Sequence, residues 1–374
     1  MIYFDYTAST PVLDDIEKIY IDTLRNCFAN PSSLHSAGVA ASKKLCEARQ
    51  LLADSLGVSA DEIYFTSGGT ESNNTAIFGV ANALKRRGKH IISTLAEHDS
   101  VKAPIRALEK QGFEITLLTP ESNGAVSPES IRQALRPETI LVSVAAVNNE
   151  TGAINDIPAI KALLAGSNAL LHCDCVQLIG KAKHNAVIRA ADIISLCSHK
   201  LFAPKGSGAI ILRRSAKAEP LILGGGQENS FRSGTENLPA IVAFAHAAKT
   251  LISSVPESYS RVQKLNDKLR NGLSEIAGVT FISDTNCVPH ILSLAFTSIP
   301  SETLVNFLSR EGFCISAGSA CKKGRKNEVI ASLGLPEKAV NSAVRISLSH
   351  LTTEEETDAL IEGFKNASKR ILRK

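Results

Sequence analysis

Export signals, membrane spans and disulfide frameworks are all missing from this sequence. The opening MIYFDYTASTP has no basic stretch followed by an apolar one, so no secretory leader is expected. No uninterrupted apolar run reaches the roughly 18 residues of a membrane helix, so no membrane partner is expected either. The net charge is only +4, and no long run of Lys or Arg accompanies it, which argues against direct nucleic-acid binding. Eight cysteines are present, but they are irregularly spaced and form no CxxC pair. In a chain with no export signal they read as thiols, not as staples. Cys173 and Cys175 would share one face of a strand, yet no second ligand pair stands at a spacing suited to a metal, and none is expected. Neither a P-loop nor a GxGxxG turn occurs, so the common nucleotide folds lose ground. There is no internal repeat and no low-complexity segment. What remains is a cytoplasmic globular protein of 374 residues, 44% hydrophobic and 21% charged, long enough to bury about three-quarters of its extended surface.

Within that frame, short β-branched runs recur between amphipathic stretches. DEIYFTSG from residue 61, HIISTLAEH from 90, EITLLTP from 114 and TILVSVAAVNNE from 139 are followed by ALLHCDCVQ from 169, ADIISLCSHK from 191 and SGAIILRR from 207. Helical patterns separate them, as in SVKAPIRALEKQG over 100–112, where Gly112 suits a C-cap. Strands alternating with helices specify an α/β fold with a doubly wound, mainly parallel sheet. Beyond residue 255 the texture changes to a polar helix from Pro256, a strand near 290, a helix near 301 and a last helix that starts acidic and ends basic. The expected organisation is a large domain over 15–255 and a smaller α+β domain over 256–374, with the arm 1–14 packed on the latter.

In an open parallel sheet, ligands bind beyond the carboxyl ends of the strands. Polar residues gather at several of those ends: Glu97 and His98, then Asn148 to Glu150, Asp174 with Gln177, and Ser198 to Lys200. The Gly-rich turn TSGGTESNN (66–74), opening a helix, exposes amides suited to a phosphate, though it could be a plain tight turn. Lys200 could be a solvated loop residue or an amine held at depressed pKa for imine chemistry. A lysine, a carboxylate and a phosphate turn together fit pyridoxal 5'-phosphate, with Asp174 as the carboxylate.

These segments, with VNNETG (147–152), SHKLFAPKGSG (198–208), GGGQENSFRSGTEN (224–237) and AGSAC (317–321), resemble the cysteine desulfurases of the class V aminotransferase group. The resemblance runs from YFDYTASTP at residue 3 to RISLSHLTTEEE at 345, and implies the fold type I architecture of pyridoxal-phosphate enzymes. It implies that Lys200 forms the internal aldimine and moves the Cα proton, that Asp174 partners the pyridinium nitrogen, and that His98 stacks on the ring. Gln177 and Asn149 match the residues near the phenolic oxygen. Gly69, Thr70, Cys197, Ser198 and His199 fall at the phosphate cup. Thr235 is similar to the threonine that reaches the phosphate of a neighbouring subunit, which implies a homodimer. Arg345, with Asn149, matches the substrate carboxylate clamp. Cys321 is similar to the cysteine that takes sulfur from L-cysteine as a persulfide, by way of a ketimine, leaving alanine. The sulfur then passes to an acceptor protein, an iron–sulfur scaffold or a sulfur carrier. Lys322, Lys323 and Arg325 would favour the Cys321 thiolate, whereas Cys314 lies among apolar neighbours. A selenocysteine lyase or another class V enzyme is the alternative. The sequence departs from the family pattern at Cys197, where a hydroxyl is usual, at Cys175, and at Ser349 and His350.

Overall fold

The structure, a computed structural model, describes residues 1–317 and 327–371. Its strands, in chain order, are β1 (Ile2–Tyr3), β2 (Ile63–Thr66), β3 (His90–Thr94), β4 (Glu114–Leu118), β5 (Thr139–Ala145) and β6 (Leu170–Asp174). They continue as β7 (Ile193–Cys197), β8 (Gly208–Leu212), β9 (Val279–Phe281), β10 (Ile291–Phe296), β11 (Phe313–Cys314) and β12 (Ala343–Ser347).

The main sheet has the order β2-β8-β7-β6-β5-β3-β4. Pairings among β3 to β7 are parallel, while β8 runs antiparallel to both β2 and β7. Consecutive strand residues enter different cores. Ile91, Leu141, Ile193 and Ile210 join the cluster on one face, and Ile92, Val142, Ile194 and Ile211 join the cluster on the other. Helices cover both faces, so the strands read as unbroken apolar runs instead of alternating ones. The chain order reverses between β3 and β5, and the crevice of a doubly wound sheet opens at such a reversal.

The 37-residue helix Leu238–Ser274 starts at an Asn237 cap and runs straight through Pro256, where a new helix was expected to begin. Proline is tolerated there at the cost of one backbone hydrogen bond. Ile241, Phe244 and Leu251 of this helix pack into the larger core, while Val262, Leu265, Leu269 and Leu273 pack into a second core with Phe296, Leu308 and Phe364. By length and composition alone it is apolar enough to cross a membrane, although His246, Lys249, Thr250, Ser253 and Ser254 break its first half into short apolar runs. Most of that window, 61%, is buried inside the protein. A core helix accounts for it. The second core is closed by the antiparallel sheet β12-β10-β9 and by the N-terminal arm, whose β1 pairs in parallel with β11 and buries Phe4 completely.

Candidate active site

A cavity of about 460 Å³ opens beyond the carboxyl ends of β3, β5, β6 and β7, within the range of small-ligand sites. Gly69, Thr70, His98, Asn149, Asp174 and Gln177 line it, as do Cys197, His199, Lys200 and Arg345. A wider surface groove of about 720 Å³ lies between the helices Leu238–Ser274 and Glu354–Ile371. Lys268, Asp358 and Lys365 there pair with neighbouring charges, and no converging set of reactive groups accompanies them.

The end of the cavity expected to take a phosphate begins where β2 turns into the helix Gly69–Leu84. Gly68, at φ +151°, adopts a backbone that a side chain resists. A Cβ on Gly208 would come within 2.7 Å of Gly68 Cα, so the two glycines let the turn lie against β8. The hydroxyls of Thr66 and Ser72 meet at 2.8 Å, and Ser72 donates to the Ala209 carbonyl at 3.0 Å. Cys197 sits under the turn. Burial raises its thiol pKa, while backbone amides of Gly69 and His199 pointed at the sulfur act in the opposite direction. His199 is held neutral, lowered to about 4 by burial and then by Lys200, and its Nδ1 meets Ser9 Oγ at 3.2 Å.

Two expected members stand apart from the cavity. The Ser198 hydroxyl lies 2.7 Å from the Ser207 carbonyl oxygen, and its N–H donates to the same oxygen, so Ser198 holds the loop together. Thr235 lines a separate cleft of about 110 Å³ with Thr66 and Arg232.

On the sheet side, the buried Asp174 carboxylate accepts from Val176 N–H at 2.9 Å and from Asn73 Nδ2 at 2.8 Å, the donors a buried carboxylate requires. Asn73 also donates to Ser100 Oγ at 2.8 Å, and Ser100 Oγ lies 2.7 Å from His98 Nδ1. His98 is the N-cap of the helix Asp99–Glu109. Burial pulls the Lys200 ammonium down to about 8. Lys200 donates to the Thr7 and Ala8 carbonyls of the N-terminal arm, each at 2.5 Å.

The facing wall centres on Arg345, from β12, which is 5% exposed. Its Nη1 donates to Asn149 O at 2.9 Å and to Glu150 Oε1 at 3.0 Å, and its Nη2 donates to Asp5 Oδ1 at 3.1 Å. Among the described residues, Nε is buried without a partner, and Nη2 keeps one hydrogen to spare. Asn149 donates from Nδ2 to Glu150 Oε1 at 3.0 Å. Described residues on either side of Cys321 join the same wall. Ser316 exchanges backbone hydrogen bonds with Arg345, Asn327 donates to Glu150 Oε2 at 3.2 Å, and Glu328 pairs with Lys102 at 3.1 Å. Cys321 itself, with Lys322, Lys323 and Arg325, lies outside the described residues.

Three features went unassigned in the sequence. The Lys181 ammonium is buried, lowered to about 7 by burial and then by Lys200, and donates to Gln177 Oε1 in a short bond. Gln177 in turn donates to Thr7 O at 3.1 Å. Its four-residue spacing from Gln177 was the available signal. The Glu97 carboxyl is buried at the cavity, and burial, with Asp174 adding to it, raises it to about 8. Its Oε1 accepts from Thr94 and Ala145, and its Oε2 has no partner. The arm residues Asp5, Thr7 and Ala8 complete the wall, and their role follows only from the way β1 docks on β11.

Fold and site define a pyridoxal-phosphate enzyme, and the chain belongs to the class V aminotransferase family, whose pattern it matches over residues 2–360. It is 41% identical over 370 residues to a NifS/IcsS protein homolog of Lactobacillus delbrueckii subsp. bulgaricus, covering 97% of this chain and 96% of that one. It is 35% identical to the cysteine desulfurase IscS of Dictyoglomus turgidum, covering 96% and 93% of the two chains. Among solved structures it superposes on a NifS-like protein with a TM-score of 0.93 at 34% identity, over 98% of this chain and 99% of that one. Pyridoxal 5'-phosphate fits the residues present. The cavity offers an amine of lowered pKa, a carboxylate already anchored on both oxygens, and a helix N-terminus at a glycine turn.

Proposed function

We propose that the chain is a pyridoxal-phosphate-dependent cysteine desulfurase that takes sulfur from L-cysteine onto Cys321 and releases L-alanine. The observation that carries this reading is the convergence of Lys200, Asp174 and His98 on one cavity whose opposite wall ties down both ends of the Cys321 segment. The names of the relatives point the same way.

When bound, pyridoxal phosphate supplies an electron sink that acidifies the substrate Cα–H and loosens the Cβ–S bond. Lys200 holds the group and carries the Cα proton, a task suited to an amine near pKa 8. Asp174 keeps the ring nitrogen protonated. The helix N-terminus at Gly69 and Thr70, with Cys197 and His199, holds the phosphate. Arg345 orients the substrate carboxylate with its free N–H groups, and Asn149 stands beside it. The Cys321 thiolate attacks the substrate sulfur. An S–S bond forms, the Cβ–S electron pair stays with the three-carbon fragment, and protonation turns that fragment into alanine.

Several finer points belong to the same reading. A large cofactor-binding domain covers 15–255 and a smaller domain 256–374 with the arm 1–14, the two joined by the helix Leu238–Ser274. Thr235, in its own cleft, would serve a second copy's phosphate in a homodimer. The sulfur acceptor is a scaffold or carrier protein, and the compartment is the cytoplasm.

The test is product analysis. The loaded chain given L-cysteine is expected to yield alanine and persulfide sulfur one for one. Formation of a keto acid without alanine would contradict the proposal. Turnover of selenocysteine alone would favour the selenocysteine lyase alternative.

A further inference from the structure

We propose that Ser100 and Asn73 are positioning residues that fix the tautomer of His98, so that its neutral ring carries the proton on Nε2 and meets the cavity as a donor. The inference deepens the reading above and rests on it for the catalytic role of His98, but its geometry stands independently.

The argument starts at Asp174. An ionised carboxylate only accepts hydrogen bonds, so the group 2.8 Å from its Oδ2 must be the NH₂ end of Asn73, not the carbonyl end. The Asn73 carbonyl oxygen is buried with no partner, so the carboxylate alone sets the orientation of this amide. The second hydrogen of the same NH₂ goes to Ser100 Oγ at 2.8 Å. That oxygen already accepts, which frees the Ser100 hydroxyl proton for His98 Nδ1, 2.7 Å away.

A second observation agrees. His98 is the N-cap of the helix Asp99–Glu109, and the Ser100 backbone N–H points at the same Nδ1 at 3.1 Å. A nitrogen faced by two donors keeps its lone pair, and the proton of the neutral ring then sits on Nε2. No hydrogen bond engages Nε2 among the described residues, and the ring borders the cavity.

Two consequences follow. His98 first gives a proton from Nε2 and can take one there only afterwards, which orders its acid and base roles. One amide also serves two tasks, because Asn73 anchors Asp174 and polarises the serine that sets His98. Both line the cavity, and the role assigned to them is exerted through Asp174 and His98.

The experiment uses the full chain labelled with [15N]histidine, both loaded with pyridoxal phosphate and stripped of it. Long-range 1H–15N correlation reports which nitrogen is protonated, and His98→Gln identifies the signal by its loss. The expected result is a neutral ring protonated at Nε2 in both forms. In Ser100→Ala, which leaves only the backbone N–H facing Nδ1, kcat for alanine should fall roughly tenfold with KM changed less than about twofold, and the ring should gain partial Nδ1–H character. A wild-type ring protonated at Nδ1 overturns the proposal, and so does a Ser100→Ala chain with unchanged tautomer and kcat. A loaded chain that makes no alanine from cysteine yet shows the Nε2–H ring overturns the activity and leaves the relay standing.

Discussion

On the sheet side of the cavity, Asp174 and Cys197 end the neighbouring strands β6 and β7, and His98 follows β3 as the N-cap of the helix Asp99–Glu109. Amides and hydroxyls hold them. On the opposite side, Arg345, Glu150 and Asp5 come from segments hundreds of residues apart and are held to one another by charge. The first wall is assembled from one sheet and the two helices, Gly69–Leu84 and Asp99–Glu109, that supply Asn73 and Ser100. The second exists only when the arm, the loop after β5 and β12 have all docked. Neutral donors fix a cofactor's partners without competing with its charges, whereas a guanidinium already shared by two carboxylates can exchange one of them for a substrate carboxylate.

The sharpest way to separate the walls is to remove what touches both. Lys200 reaches from the end of β7 to the arm carbonyls, and Lys200→Ala is expected to abolish turnover and the yellow absorbance of the loaded enzyme. A normal spectrum would break the assignment.

Arg345→Lys keeps a charge for Glu150 but loses the fork. A loss of about 1.5 kcal/mol in charge-assisted hydrogen bonding should raise KM for cysteine roughly tenfold, with the cofactor spectrum unchanged. A weakened spectrum with normal KM would show that the two walls are not separable.

Lys181→Met probes the buried support of Gln177. The lysine's folded value of about 7 lies below its ordinary 10.5, so between those values the unfolded chain binds the extra proton and native stability rises with pH. Methionine removes that penalty. Its stabilising effect in thermal melts should be largest below pH 7 and fade towards pH 10.5, while activity falls a few-fold because Gln177 loses its anchor. A destabilised variant at pH 6 would refute the account of the buried ammonium.

The smallest effect on activity is expected from Glu97→Gln. Here the folded value, about 8, lies above the ordinary 4.5. Native protein keeps a proton that unfolded chain releases, and wild-type stability falls as pH rises through that interval. The glutamine variant should therefore gain stability over wild type between pH 4.5 and 8 and level off above. A gain that is flat with pH would mean that the carboxyl is not held protonated.

Much of the sheet wall was legible because its residues follow apolar runs directly, and the run itself announces the strand end. Lys200 after β7 and Asp174 at the end of β6 are of this kind. The antiparallel direction of β8 could also have been argued, since the connection from Cys197 to Gly208 is too short for a helical crossover. The facing wall was only half legible. Arg345 stood out by resemblance, but Asp5, Thr7 and Ala8 carry no local signal and gain their place from the pairing of β1 with β11. Pro256 misled because proline so often opens a helix, whereas here it lies within one whose two halves serve different cores. Lys181 was passed over because nothing in LIGK shows that its end will be buried against Gln177.

The central claim is that the sheet wall binds the cofactor while the opposite wall presents Cys321 to the substrate's sulfur. Cys321→Ala tests it most directly, with alanine release and protein persulfide measured after adding L-cysteine to the loaded chain. The account expects the yellow absorbance to survive intact while persulfide and alanine both disappear. Alanine formed at the wild-type rate would contradict it.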